Sequence, residues 1–276
     1  MKPIKLYFPD PGMTLHGVNA LSYHPFEKYN PKKDRNKPAM FWLYFEEDYK
    51  TLANHTGKKI ICWHGSDVLR FKGLFLKYLS LIRDPEITHI FLNNITQSEM
   101  FQFGIYGVKK YIFWGDASRY TSSSDLTKDC FMCCPPINPE EKSRGPEYGE
   151  LIFNALAWKY PDWTFHIFGC TPVIPIYCDN VKYYGWIPES EMDDITLNFS
   201  VCIRHNIHDG FPQVICKAML REQYVLTQLP YDKLTIEYNS PVMLIKAFDC
   251  INKEIEVGKT FKNNVKGMIN NFDFIK

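Results

Sequence analysis

The segment from Gly185 to Leu229 constrains the fold more than any other part of the chain. Gly185-Trp186-Ile187-Pro188 reads as a turn into a helix that Glu189 or Ser190 opens. Acidic residues crowd the first turn of that helix (Glu189, Glu191, Asp193, Asp194), where the helix dipole favours them. A short apolar strand follows at Val201-Cys202-Ile203, then a polar loop from Arg204 to Gly210 holding an Arg, two His and an Asp. A second helix starts near Phe211-Pro212, with Pro in the first turn, where its missing N–H costs no hydrogen bond. Tyr224 to Thr227 closes the unit as another strand. Strand, polar loop, helix and strand in that order place reactive side chains and free backbone N–H groups at the carboxyl end of a parallel strand. That is where α/β sheets bind ligands.

The same alternation runs through the whole chain. Residues 3–9 read as a strand ending in Asp10-Pro11-Gly12, with Gly12 at a strand-to-helix turn where backbone can approach a ligand. Residues 28–38 are a polar, Lys/Pro-rich loop. Strands are expected at Phe41–Phe45, Lys59–Trp63, Thr88–Leu92 and Tyr111–Trp114, with helices at Gly73–Arg83 and Thr96–Phe103. The run 116–129 is Ser/Thr/Asp-rich without apolar periodicity and reads as a linker. Beyond it, strands are expected at Cys130–Cys134, 164–168, 181–184, 201–204 and 224–227. The helices of this half fall at 146–159, 189–198 and 211–221 and from about 241 and 260. The expectation is α/β, in two Rossmann-like domains with parallel sheets facing a cleft, spanning 1–128 and 129–276.

Two stretches carry a family resemblance. One is Gly185-Trp186-Ile187-Pro188 followed by the pattern R-x-x-x-H-D-G-F-P-x-x-I-x-x-A-M over 204–219. The other is Gly145 to Gly169, with Tyr160-Pro161-Asp162 and Ile167-Phe168-Gly169. Both resemble the donor half of GT-B retaining glycosyltransferases of the group 1 type, which include sucrose-phosphate synthases and mannosyl transferases. The resemblance covers roughly residues 130–230 well and the preceding half loosely. It implies a GT-B fold with a trimmed N-terminal domain. It also implies transfer of a sugar from a nucleotide-sugar donor to a glycan, lipid-linked or protein hydroxyl acceptor, with retention and without a metal cofactor.

Carried over residue by residue, the resemblance marks Asp209 as the acid that accepts hydrogen bonds from sugar hydroxyls. His64, in Trp63-His64-Gly65-Ser66-Asp67, matches an N-domain loop whose His lies near the reacting sugar. Both are the catalytic candidates. His208, Gly210, Phe211, Pro212, Gln213 and Val214 form the donor loop; N–H groups of Phe211, Gln213 and Val214 would face the departing diphosphate. Trp186 and Ile187 complete the donor side. Basic residues should face the diphosphate, and Arg144 takes the place of the family's Lys. The family's Arg place falls near Pro139 and is not basic, so Lys142 or Arg204 would compensate.

Lys217 is the main departure, because it stands where the family has a second acid that accepts hydrogen bonds from the nucleotide ribose. Lys donates and cannot accept. Altered nucleotide recognition, a phosphate contact, or lost activity would each follow. If the side chain points into the donor pocket, Lys217→Glu would tighten nucleotide binding. The alternatives to an active transferase are a catalytically impaired, glycosyltransferase-like binding or scaffold protein and, more distantly, another α/β enzyme such as an epimerase.

Composition adds bounds. Lys and Arg number 32 against 31 acidic residues, which gives no support for nucleic-acid binding. The first residues lack the apolar region of a signal peptide, and no run reaches the ~20 apolar residues of a membrane span. A cytoplasmic protein is expected, with the helix at 72–83 either core-facing or resting on a membrane. Nine Cys without an export signal should be mostly buried thiols. Cys130, Cys133 and Cys134 would need a fourth ligand to hold zinc. Asp193-Asp194 lies inside an expected helix, not in a loop suited to a metal-binding acid pair.

Overall fold

A computed structural model describes residues 3–9, 13–122, 126–134, 145–172, 178–270 and 272. Gly12, Lys142 and Arg144, expected at the donor site, lie outside the described residues. The chain divides into two compact units. The first holds Met1–Arg119, His208–Gln213 and Lys266–Lys276; the second holds Tyr120–Ile207 and Val214–Val265. The spans 1–128 and 129–276 differ from this division in three places. The first unit stops at Arg119, and it takes in two short segments from the later half because their contacts lie there.

In the first unit the chain runs β1 (Ile4–Tyr7), α1 (Thr14–Tyr23), β2 (Phe26–Lys28), β3 (Ala39–Phe41) and α2 (Glu46–Ala53). It continues through β4 (Lys59–Trp63), α3 (Ser66–Ile82), β5 (Ile87–Phe91), α4 (Asn94–Gln102) and β6 (Val108–Lys109). The strands form one sheet in the order β2-β1-β3-β4-β5-β6. Every pairing in it is parallel. Such a sheet is covered on both faces, which is why β4 reads Lys-Ile-Ile-Cys-Trp with no polar alternation after Lys59. Phe41, Leu52, Ile61, Trp63, Phe71 and Phe91 form the core on one face.

The second unit repeats the plan with β7 (Thr127–Cys133), α5 (Glu150–Lys159), β8 (Thr164–Phe168), β9 (Val181–Gly185), α6 (Glu189–Ile195) and β10 (Phe199–Arg204). Then come α7 (Gln213–Leu220), β11 (Tyr224–Thr227), β12 (Ile236–Glu237), α8 (Pro241–Glu256) and α9 (Val265–Met268). Its sheet runs β12-β11-β10-β7-β8-β9, again all parallel. Phe153, Trp163, Phe165, Val201, Leu226 and Phe248 pack in its core. The indole of Trp163 donates to Asn252 Oδ1 at 2.7 Å, which satisfies a buried N–H from α8.

Several sequence expectations shift. The helix expected from Gly73 begins at Ser66. The strand at Phe41 ends there, and α6 and α7 are shorter than 189–198 and 211–221. Tyr111–Trp114 forms no regular strand; it makes one parallel bridge, Tyr111 to Ile269. Side chains satisfy its backbone instead, for the Phe113 N–H donates to Asn270 Oδ1 (3.0 Å) and the Trp114 N–H to Gln213 Oε1 (2.7 Å). The helix expected from about 260 reduces to α9. On α3, Val68, Phe71, Tyr78 and Ile82 face the core, while Leu76 is 86% exposed. Lys72 pairs with Glu99 and Lys77 with Glu46. Among the described residues no helix is long and apolar enough to cross a membrane.

Candidate functional site

In the first unit the site begins where β4 ends. Asp67, in the first turn of α3, accepts backbone N–H groups from His64 (2.8 Å), Gly65 (2.8 Å) and Val68 (2.9 Å). A carboxylate at a helix head is favoured by the dipole, and here it fixes the turn that carries His64. Gly65 has φ +121°, a conformation other residues rarely adopt. The His64 ring meets the edge of Trp42 at 4.6 Å and lies 5.7 Å from Trp114. His64 Nδ1 lies 3.8 Å from Asp67 Oδ2, and among the described residues neither ring nitrogen, nor the indole N–H of Trp42 or Trp114, has a hydrogen-bond partner. His64, Trp42, Tyr44 and Met13 line a small, shallow hollow open to solvent.

The loop His208–Gln213 belongs to this same unit. Its backbone touches the His64 turn: a Cβ on Gly65 would fall 2.5 Å from the Gly210 nitrogen. Asn93 clamps the contact. Its amide donates to the carbonyls of Asp209 (2.5 Å) and Gly210 (2.9 Å). Its carbonyl caps α4 by accepting the Thr96 N–H at 2.8 Å. His208 Nε2 pairs with Glu99 Oε2 at 2.8 Å, and Lys72 holds the other Glu99 oxygen at 2.7 Å. Burial works to raise the Glu99 pKa, but Lys72 and His208 outweigh it, so the carboxyl sits below its ordinary value. Phe211 is buried against Tyr111, with ring centres 4.8 Å apart. Gln213 heads α7 with its side chain bonded to Trp114, Ile112 and Phe211 backbone. Pro212 and Val214 are half-buried. The structure therefore brings His64, Asp209 and Gly210 together.

The second unit holds the other candidates. Arg204, at the end of β10, donates to the Cys133 carbonyl at 2.8 Å and stacks over Tyr148 at 4.6 Å. The neighbouring His205 bonds Tyr238 OH at 2.9 Å, and burial lowers its pKa. Trp186 is 69% exposed on the turn after β9, and Ile187 is half-buried. Among the described residues no three His, Cys, Asp or Glu are grouped to hold a metal. Cys130 and Cys134 are buried, Cys133 partly so.

Lys217 departs from the sequence expectation of an open donor. Its side chain is 4% exposed, with Nζ 2.5 Å from Glu189 Oε1 and 2.7 Å from Asp193 Oδ2. Tyr120 OH also donates to Asp193 (2.9 Å), and Arg221 binds the Asp193 carbonyl (2.9 Å). A buried ammonium demands paired charge, and α6 supplies two carboxylates within reach. The sequence shows acids at the head of α6 but not that they would turn toward α7. Lys217→Glu would thus assemble three carboxylates rather than restore an acceptor. Asn93, Glu99, Trp42 and Trp114 also escape sequence reading. Asn93 carries a local signal as a helix cap; nothing local reports its bonds to residues 209 and 210.

No family model and no curated protein sequence matches the chain. Solved structures do. A sucrose-phosphate synthase from Thermosynechococcus elongatus superposes with a TM-score of 0.61 at 11% identity, covering 98% of this chain and 77% of that one. TarM of S. aureus, solved with fondaparinux, alpha-GlcNAc-glycerol and UDP, gives 0.56 at 12% identity over 83% of this chain. The pneumococcal O-GlcNAc transferase GtfA, solved with UDP and GlcNAc, gives 0.53 at 12% identity over 89% of this chain. The chain spans 53% of the length of TarM and of GtfA. These structures share the GT-B architecture, and the fold of this chain is of that kind: two parallel six-stranded sheets flanked by helices.

Proposed function

We propose that the protein is a glycosyltransferase that moves a sugar from a nucleotide-sugar donor to a hydroxyl acceptor, with retention and without a metal. One observation carries the reading. The turn that carries His64 and the loop that carries Asp209, far apart in sequence, are in backbone contact and tied by Asn93. Those are the two loops that the family resemblance assigns to the reacting sugar. UDP and sugars bound to neighbours of the same fold support a nucleotide-sugar donor and a sugar-bearing acceptor.

In this reading Asp209 accepts hydrogen bonds from donor-sugar hydroxyls. His64, whose Nδ1 lies 3.8 Å from Asp67 Oδ2, meets the sugar beside the bond that breaks. The N–H groups at the head of α7 offset the charge of the leaving diphosphate. The bond from the sugar's anomeric carbon to the diphosphate oxygen breaks. A bond from the acceptor oxygen forms on the same face, and the acceptor proton passes to the departing diphosphate oxygen. Asp193 pairs with Lys217 and Tyr120, which supports the metal-free reading.

A second reading, a binding protein descended from such enzymes, is favoured by Lys217, which stands buried in an ion pair where the family has an acid. Incubation with a panel of nucleotide sugars and glycan acceptors, with and without EDTA, tests the choice. Transfer that persists in EDTA with the anomeric configuration kept supports the enzyme as stated. Loss reversed by metal overturns metal independence. Donor binding without transfer or hydrolysis favours the binding protein.

A further inference from the structure

The loop that carries Asp209 is tied to α4 at a second point, beyond the Asn93 clamp. Asn93 caps α4 and Glu99 stands on it, about 9 Å farther along the helix axis. The two Glu99 oxygens are held from two sides. Oε1 takes Lys72 Nζ of α3 at 2.7 Å, and Oε2 meets His208 Nε2 at 2.8 Å. A carboxylate accepts and cannot donate, so His208 Nε2 is the donor. Glu99 and His208 are 109 residues apart in sequence, and their side chains are only 21% and 15% exposed. The pair is therefore sheltered from solvent and salt, unlike an ion pair on an open surface.

α4 is a firm base for both ties. Thr96 and Met100 are fully buried, and Gln97 donates to the Gly107 carbonyl at 3.0 Å. The ties bracket Asp209: Glu99 holds the side chain before it, and Asn93 holds its own carbonyl and that of Gly210. The Asp209 carboxylate takes the Gly210 N–H at 3.0 Å, so its aim follows the backbone of this loop. α3 completes the frame, since Asp67 in its first turn fixes the His64 turn while Lys72 holds Glu99. Both catalytic candidates are thus referred to one pair of helices.

We propose that Glu99 is a positioning residue: held by Lys72 and acting through His208, it sets where the Asp209 carboxylate stands relative to His64. His208 is then an anchor of the loop rather than a contact to the donor. The proposal rests on the transferase reading above and adds a residue that lies outside both loops assigned to the sugar.

Steady-state turnover of UDP-glucose, UDP-N-acetylglucosamine and GDP-mannose, with urea unfolding beside it, tests the assignment on the wild type, Glu99→Gln, His208→Leu and His208→Gln. With the donor that the wild type turns over fastest, Glu99→Gln and His208→Leu should each lower kcat by about 10- to 100-fold, the scale of a misplacement of about 1 Å. The KM for the donor and the urea midpoint should change little. His208→Gln, whose amide N–H reaches the place of Nε2, should recover most of the rate. In an Asp209→Ala background Glu99→Gln should cause no further fall, because it acts through that carboxylate. Amide exchange of residues 206–212, followed by mass spectrometry, should quicken in Glu99→Gln. A Glu99→Gln variant of full rate, falls that multiply in the double variant, no rescue by His208→Gln, or unchanged exchange overturns the Glu99 assignment and leaves the transferase reading standing. A rate loss that only follows a loss of folded protein does the same. No turnover of any of these donors by the wild type counts against both.

Discussion

The Gly210 backbone lies so close to the carbonyl oxygen of His64 that a Cβ at position 210 would fall 1.8 Å from it. Only glycine permits this approach. Gly210→Ala should force the two loops apart, with a stability loss of about 1–3 kcal/mol from overpacking and a fall in transfer rate. Urea unfolding and a donor-turnover assay check the two effects. An alanine variant of wild-type stability and rate would mean that the contact is not required.

Asn93 is fully buried and uses both ends of its amide. Asn93→Ala should cost at least about 2 kcal/mol, because it removes the buried donor to the Asp209 and Gly210 carbonyls and the acceptor of the Thr96 N–H. Asn93→Asp keeps the acceptor for Thr96 but cannot donate to the loop. It should therefore recover part of the stability and none of the activity, a split that urea unfolding and turnover measure separately.

Asp209→Ala should reduce transfer at least ~100-fold with little change in stability, as loss of a preorganised polar group commonly does. His64→Ala should also impair turnover. Circular dichroism establishes folding, and steady-state rates decide. Two folded, fully active variants would place the chemistry elsewhere.

Lys217 gives a pH signature. Burial alone would lower its pKa, but Asp193 and Glu189 outweigh burial and hold it above the ordinary 10.5. A raised folded value means that the pair's stabilisation is fully present below about pH 10.5 and is lost as pH rises through the folded value. The stability gap between wild type and Lys217→Met should stay constant from neutral pH to about 10 and narrow above that. Lys217→Glu should be worse than Lys217→Met, by about 3–5 kcal/mol relative to wild type, since it buries like charges together. Chemical unfolding across pH measures both.

Much of the fold was legible because its signals are local. The apolar runs of β4, β8, β10 and β11 mark buried parallel strands, and the acids at Glu189 and Glu191 mark the head of α6. The short strands β2, β6 and β12 carry too few residues to signal themselves. Tyr111–Trp114 looked like a strand because its side chains are apolar. Its backbone partners, Asn270 and Gln213, are distant in sequence and leave no trace in its pattern.

For the site, the sequence by itself determined the strand–loop–helix unit at Arg204–Leu220 and the strand end at Trp63, because turn glycines, capping acids and apolar periodicity act over a few residues; that α3 opens at Ser66, directly after the His64 turn, it did not show. It also exposed the substitution at Lys217. Only the tertiary structure decided what those residues meet: that Asn93 joins the two loops, that Trp42 and Trp114 enclose His64, and that Lys217 is neutralised by Glu189 and Asp193. A buried charge or amide must find its partner wherever the chain brings one within about 3 Å, and that distance is set by the packing of whole sheets and helices rather than by neighbours in sequence.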